Sequence, residues 1–264
     1  GDVYKRQHYG LCEIYNLCAE KSRYDNLCFA HEDIQFDTIG WGEKIISKLS
    51  ETDCGVIGFA GTTARISALC GIGLSRAHWR SNYIQHMNKG GMKSCFKNPD
   101  RVEFSPVVSV DGMCLFVSRK VWQKVRFDEK TFPNFHLYDL DFTTAVFRAG
   151  CINYICNTVI VEHFSEGYYT QEWLAATIDF NNKWRNALPL YVSGFPCIKN
   201  LDRYVRSREF RFIKAMMKSR GKCSWELIDG LCRQYYRKYP FYRSIVVWFH
   251  AYRYRKRWKR EGRL

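Results

Sequence analysis

The chain has 264 residues, of which 46% are hydrophobic and 25% charged. This composition is typical of a soluble globular protein long enough to bury a core. No apolar run reaches the roughly 18 residues of a bilayer span, and the first ten residues lack the apolar core of a signal peptide. The twelve cysteines are scattered without a CxxC pair, which disfavours a structural zinc site and indicates a reducing cytoplasm.

The net charge of +15 is unevenly distributed along the chain. Residues 1–198 hold 21 basic and 21 acidic residues, whereas residues 199–264 hold 20 basic and 5 acidic ones. We therefore predict two regions, a neutral domain at 1–198 and a basic helical region at 199–264.

In the first half of the chain, helical patterns alternate with short apolar runs. Residues 64–100 are rich in Gly, Asn and Ser, and we expect a long excursion there, anchored by Trp79. The other predicted elements are helix 11–20, buried strand 26–30, helix 43–49, buried strand 54–60 with a loop at 61–63, strands 104–110 and 113–117, and helix 118–125.

An aromatic-rich loop becomes a helical pattern at residues 132–150. Asp139 or Asp141 is expected to cap this helix, because a carboxylate accepts hydrogen bonds from its free N–H groups, and Gly150 is expected to end it. Strands at 152–156 and 159–162 and a helix at 171–188 follow. This alternation predicts an α/β fold with a mainly parallel sheet flanked by helices.

Polar residues follow several of the predicted strands, where the ligand crevice of such a sheet lies. His31-Glu32-Asp33 can hold a divalent cation through hard oxygen ligands, although a solvated turn is the simpler interpretation of the triplet alone. Asp111-Gly112 fits a β-turn. His163 ends a strand and fits either a hydrogen-bonded structural histidine or a residue that faces a metal or phosphate.

Several well-known catalytic signatures are absent from the sequence. It contains no GxSxG, no GxxxxGK and no GxGxxG pattern. Serine-nucleophile, P-loop and nicotinamide-dependent chemistry are therefore disfavoured.

Six motifs occur together, in a fixed order, over residues 9–190. They read LCFAHED, GVIGFAGTT, VDGMCLFVSRKVW, RFDEKTF, FHLYDLDFTTAVFRAG and VEHFSEG. This series resembles the StrF-like branch of family 2 glycosyltransferases, which have the GT-A fold. The resemblance implies an inverting, metal-dependent transfer of a sugar from a nucleotide-sugar donor to a glycan or lipid-linked acceptor, in the synthesis of a cell-surface polysaccharide.

The resemblance also implies roles for particular residues. His31-Glu32-Asp33 matches the metal-binding acidic motif of the family, usually written DxD, with His31 in place of the first Asp. Asp33 and His163 are expected to hold Mn²⁺ or Mg²⁺. Glu32, Asp111 and Gly112 are expected to contact the donor or the acceptor.

The catalytic base is assigned by the resemblance to the acidic pair of the family. Asp139 matches the Asp of a Glu-Asp pair that supplies the base in inverting members. Tyr138 replaces the Glu, which leaves the base open between Asp139 and Asp141. A hydrolase with two carboxylates is a related alternative.

The resemblance starts late in the fold, near Tyr9. The strand and helix that hold the nucleotide base normally come first, and GDVYKRQH does not resemble them. We therefore expect this first unit to be missing. A rival hypothesis is a non-catalytic, truncated or degenerate transferase that binds other molecules through its basic tail.

The basic region at 199–264 has three interpretations. Its helices can simply pack with solvated faces. Trp248, Phe249, Tyr252 and Trp258 beside Arg and Lys fit a peripheral contact with an anionic membrane, which predicts a cytoplasmic protein on the inner face of the membrane. Nucleic-acid binding is the third interpretation, but no recognised motif supports it.

Overall fold

The computed structural model describes residues 9–72, 76–167, 170–218, 223–240 and 243–262. The helices are α1 (Leu11–Lys21), α2 (Trp41–Leu49), α3 (Arg119–Val125), α4 (Tyr138–Arg148), α5 (Gln171–Trp184), α6 (Leu201–Lys218), α7 (Trp225–Lys238) and α8 (Arg243–Arg260). The strands are β1 (Asn26–Ala30), β2 (Ile34–Phe36), β3 (Cys54–Gly58), β4 (Ala60–Thr62), β5 (Ala64–Arg65), β6 (Trp79–His86), β7 (Met92–Lys97), β8 (Phe104–Val107), β9 (Ser109–Val110), β10 (Cys114–Ser118), β11 (Ile152–Cys156), β12 (Val161–His163) and β13 (Leu190–Tyr191).

The strands form two main sheets and one small one. The first has the order β1-β10-β3-β11-β8, the second has the order β2-β12-β6-β4-β9 with β7 paired to β6, and β13 pairs with β5. Among the described pairs, β11–β3 and β12–β6 are parallel and the others are antiparallel. The α/β class is thus confirmed, but the mainly parallel sheet is not, because an apolar run shows that a strand is covered and not which way its neighbour points.

Two further expectations for the first half of the chain are wrong. The predicted loop at 61–63 overlaps β4, which continues the chain from the first sheet into the second. The predicted excursion at 64–100 contains the β6–β7 hairpin, in which Tyr83 lies opposite Cys95. The sequence did not reveal β7 because its apolar residues Met92, Cys95 and Phe96 do not alternate regularly with polar ones, and most of its side chains are exposed.

A buried asparagine joins the elements that carry the site. The Asn153 side-chain oxygen accepts a hydrogen bond from Val56 N (2.9 Å), and its amide donates to the carbonyl oxygens of Val108 (2.8 Å) and Thr143 (2.7 Å). These bonds tie β3, the β8–β9 segment and α4 to β11. Since an unpaired buried amide is costly, the four elements are held in one relative position.

Helix α4 starts in an unexpected way. Its N-cap is Leu137 in the left-handed region (φ 64°), with no capping side chain. Asp139 and Asp141 both lie inside the first turn, so the prediction that one of them is the cap is wrong by two residues or more, although acids still favour this end of the dipole. Gly150 follows the helix with φ 90°, as predicted.

The chain divides into two compact units. One contains the described residues up to Arg65, of Ile72–Gly167 and of Ala187–Phe195, and the other contains those of Ile66–Gly71, Tyr168–Asn186 and Pro196–Leu264. The second unit has its own core, in which Leu174 packs with Phe212, Ile228 and Val247. The boundary at residue 198 stays a prediction.

None of the described helices combines the length and apolar character needed to cross a bilayer. The expectation of a missing first strand concerns residues 1–8, which lie outside the described residues.

Candidate metal and acid–base site

Three side chains from two neighbouring strand ends meet in the first unit. His31 and Asp33 follow β1, and His163 ends β12. One ligand atom from each lies within 4.8 Å of the others; Asp33 Oδ1 is 3.7 Å from His163 Nε2 and 3.9 Å from His31 Nδ1. The cluster is partly open to solvent, since the Asp33 side chain is 29% exposed.

Hydrogen bonds fix the tautomer of His163. The Gln85 amide nitrogen donates to the carbonyl oxygens of His163 (3.2 Å) and Ser165 (2.8 Å), so its oxygen faces His163 Nδ1 at 3.2 Å. That oxygen can only accept, and the proton of the neutral ring therefore sits on Nδ1. Nε2 is buried with no hydrogen-bond partner among the described residues. Its lone pair points at the cluster.

Tyr138 fixes the tautomer of His31 in a corresponding way. The Tyr138 hydroxyl donates to the Gly112 carbonyl oxygen (3.0 Å) and lies 3.0 Å from His31 Nε2. Because the hydroxyl has one proton and the carbonyl can only accept, His31 Nε2–H is the donor in the second bond. The lone pair of Nδ1 is then left to face Asp33.

The charge states of the cluster match its geometry. Burial lowers the pKa of His31 below its ordinary value, more than the nearby Asp111 carboxylate raises it. Burial alone would raise the pKa of Asp33, but a hydrogen bond with Ser165 and the neighbouring His163 outweigh it and hold that pKa low. An ionised carboxylate beside neutral imidazole lone pairs is the form in which these residues bind metals. The residues therefore fit a divalent cation.

A second group surrounds the turn at Asp111-Gly112. Gly112 N–H donates to Asp139 Oδ2 at 2.9 Å. Burial raises the pKa of Asp139 to about 7, helped by the Asp111 carboxylate and opposed by backbone N–H bonds. Met113 N–H donates to Asp111 Oδ1 at 3.2 Å. A half-buried carboxyl that titrates near neutral pH can take up or release a proton under ordinary conditions.

The structure brings most of the predicted site residues together. Asp33 joins His163 in the metal cluster, and Asp111 and Gly112 join Asp139 beside it. Glu32 is exposed, next to the cluster in sequence. Asp141 is 2% exposed on α4, closed off from solvent.

Two residues of the site were missed from the sequence. His31 counted only as a departure from the acidic motif, and Tyr138 only as a replaced Glu. Both residues lie within the six sequence motifs. The hydrogen bond between them depends on the fold, because Tyr138 and His31 are 107 residues apart in the chain.

Two solved structures that resemble the chain are distant from it in sequence. GalNAc-T7, crystallised with UDP, GalNAc and Mn²⁺, is 10% identical over 76% of this chain and 41% of that chain, with a TM-score of 0.45. The match thus spans less than half the length of GalNAc-T7. A197 from STIV is 14% identical over 70% of this chain and 76% of that chain, with a TM-score of 0.34. No curated protein sequence matches the chain.

The family comparison is stronger. Residues 5–186 match the model of the "Glycosyltransferase like family". This match covers more than half of the chain and includes both groups of site residues. The chain therefore belongs to this glycosyltransferase-like family.

Proposed function

We propose that the chain transfers a sugar with inversion from a nucleotide-sugar donor to a hydroxyl of a glycan or lipid-linked acceptor, as a member of the StrF-like branch. The observation that carries the proposal is a chain of hydrogen bonds between Asp139 and the metal-ligand set. Asp139 accepts from Gly112 N–H, and the Tyr138 hydroxyl bonds both the Gly112 carbonyl oxygen and His31. We place the reaction in the cytoplasm, where scattered thiols stay reduced.

In this proposal, His31, Asp33 and His163 hold the metal. When bound, a divalent cation neutralises the negative charge that develops on the leaving diphosphate. A set with two imidazoles and one carboxylate favours a transition ion such as Mn²⁺ over Mg²⁺, which prefers oxygen ligands and water. We therefore propose Mn²⁺ rather than Mg²⁺ as the ion.

Asp139 serves as the general base of the proposed transfer. Its Oδ2 is held by the Gly112 N–H, and in the proposed transfer its carboxylate accepts the proton of the attacking hydroxyl. The pKa of about 7 suits this role, because a base works best when its pKa is close to the working pH. Asp141, which is closed off from solvent, is the weaker candidate.

An exposed aromatic ring marks the side from which a sugar would approach. Phe135 is 55% exposed, and its ring centroid lies 6.0 Å from that of His31 and 6.1 Å from that of Tyr138. Large apolar side chains in solvent next to polar site residues are a common feature of binding sites. We assign Phe135 to one sugar face of the donor or acceptor.

The test is the thermal midpoint of the chain with UDP, GDP or dTDP, each without metal, with Mn²⁺ and with Mg²⁺. A ligand of the native state raises stability by about 2.7 kcal/mol at a hundredfold excess over its dissociation constant. We expect a rise with one nucleotide that requires Mn²⁺.

Two variants sharpen this test. Asp33→Asn should abolish the metal-dependent part of the rise. Asp25→Asn removes an exposed carboxylate outside the site and should leave the rise intact. A cooperative transition without any shift would contradict the donor site and favour a non-catalytic chain.

A further inference from the structure

The second unit exposes an unusual row of apolar side chains on α8. Ile245, Trp248, Phe249 and Tyr252 are 64%, 58%, 51% and 54% exposed. Their spacing of three and four residues places them on one face of the helix. The opposite face is the packed one, since Val247 and Trp258 are buried in the core of this unit. We call the four exposed residues the apolar stripe.

A cleft of about 700 Å³ lies beside the stripe. Among the described residues that line it, Phe249 and Tyr252 belong to the stripe, six side chains are cationic and none is acidic. We call this the basic cleft, and its cations are Lys214, Lys218, Arg253, Lys256, Arg257 and Arg260.

The cations of the basic cleft are poorly neutralised. Within the part of the chain that the structure describes, only Arg257 among them forms an ion pair, with Glu261 at 2.7 Å. The pKa of His250 in the same cleft is lowered by burial and then by Lys214 and Arg253. The cleft is therefore a region of positive potential.

Stripe and cleft follow each other along a single face of the helix. Lys256 lies four residues after Tyr252, and Arg260 lies four residues after Lys256, so both continue the row of the stripe by one turn each. The face is apolar in its first half and cationic in its second half. This is the distribution that an interfacial helix needs to insert rings at the acyl boundary and hold phosphate groups beside them.

We propose that the apolar stripe and the basic cleft form a docking surface for an anionic lipid membrane. The charge complementarity accounts for the cleft, because anionic headgroups attract juxtamembrane cations. Nucleic acid would also use the cations and the rings of the stripe, but it has no use for Ile245, which is the most exposed of the four residues. A membrane fits both halves of the face, because its acyl region takes up the apolar stripe and its headgroups bind the cations. The proposal does not depend on the sugar-transfer proposal and is tested separately from it.

The first test is co-sedimentation of the full chain with vesicles of phosphatidylcholine alone or mixed with phosphatidylglycerol. We expect binding to the mixed vesicles only. Each cation near an anionic surface contributes about a fivefold change in affinity, so K256Q/R260Q should weaken binding about 25-fold. The matched control K120Q/K130Q removes two exposed cations of the first unit and should bind like the wild type.

The second test examines insertion of the stripe. All eight tryptophans of the chain are described, and Trp248 alone among them is exposed. Phosphatidylglycerol vesicles with brominated acyl chains should therefore quench the fluorescence of the wild type. Trp248→Phe keeps an apolar ring, so it should bind the same vesicles but lose the quenching.

Three results would overturn the proposal. The first is equal binding to neutral and anionic vesicles, or binding to neither. The second is quenching that persists in Trp248→Phe, which would place another part of the chain in the lipid. The third is tighter binding to single-stranded RNA than to anionic vesicles at the same salt concentration, with the same loss in K256Q/R260Q.

Discussion

Replacing Asp139 by Asn removes a titrating carboxyl but keeps an oxygen that can accept the 2.9 Å hydrogen bond from Gly112 N–H. The pKa of Asp139 is about 7 in the folded chain, against an ordinary value of 3.8. Between these values the folded chain holds a proton that the unfolded chain has released, so the wild type loses stability as the pH rises through this window. The loss over the whole window is at most about 4 kcal/mol, since one pKa unit corresponds to about 1.4 kcal/mol.

The Asp139→Asn variant lacks this loss. Its stability advantage over the wild type should therefore grow by about 3 kcal/mol between about pH 5 and about pH 9, because the folded wild type keeps up to about pH 7 a proton that its unfolded chain has already released. Urea unfolding in metal-free buffer at each pH measures the difference. Asp25→Asn, which removes an exposed carboxylate elsewhere, controls for the change in net charge. An advantage that stays constant with pH would refute the raised pKa and with it the reason for choosing Asp139 as the base.

Three other predictions follow from the same site. His163→Gln should weaken Mn²⁺ binding in calorimetry, and unchanged affinity would remove His163 from the ligand set. Tyr138→Phe keeps the ring but frees the His31 tautomer, so Mn²⁺ affinity should fall about 10–100-fold, and the unpaired Gly112 carbonyl oxygen should cost about 1–3 kcal/mol in urea unfolding; an unchanged affinity would refute the positioning role. Gly112→Ala would push a Cβ against the Tyr138 hydroxyl and to 2.9 Å from Asp139 Cβ, so we expect a destabilisation of about 1–3 kcal/mol in urea unfolding, and wild-type stability would show that the turn can move.

The sequence predicted most helices and the buried strands, because their apolar periodicity is set by the core. Helix α1 and strand β11 agree with their predicted ranges to within a residue. Apolar periodicity did not predict strands that are exposed or that carry the chain from one sheet into the other. β7 is largely exposed, and β4 continues from β3 after a single residue, so neither is marked by a break in composition.

The candidate site was predicted residue by residue but not as a network. The motifs marked Asp33, Asp139 and His163 separately. The pKa of Asp139 depends on burial and on the Asp111 carboxylate, and both depend on how the chain folds. The same holds for the tautomers of the two histidines, which are set by partners that are distant in sequence.

The hydrogen bond between Tyr138 and His31 joins the two positions where this sequence departs from the motifs of the transferases that it resembles. A carboxylate of Glu at position 138 could not donate to the Gly112 carbonyl oxygen as the Tyr138 hydroxyl does, since both groups only accept. An Asp at position 31 would remove the ring nitrogen that donates to the Tyr138 hydroxyl. The two substitutions therefore compensate each other, and we expect natural relatives to vary them together. Tyr138→Glu and His31→Asp should each damage the protein when made alone, and the damage should be less than additive in the double variant.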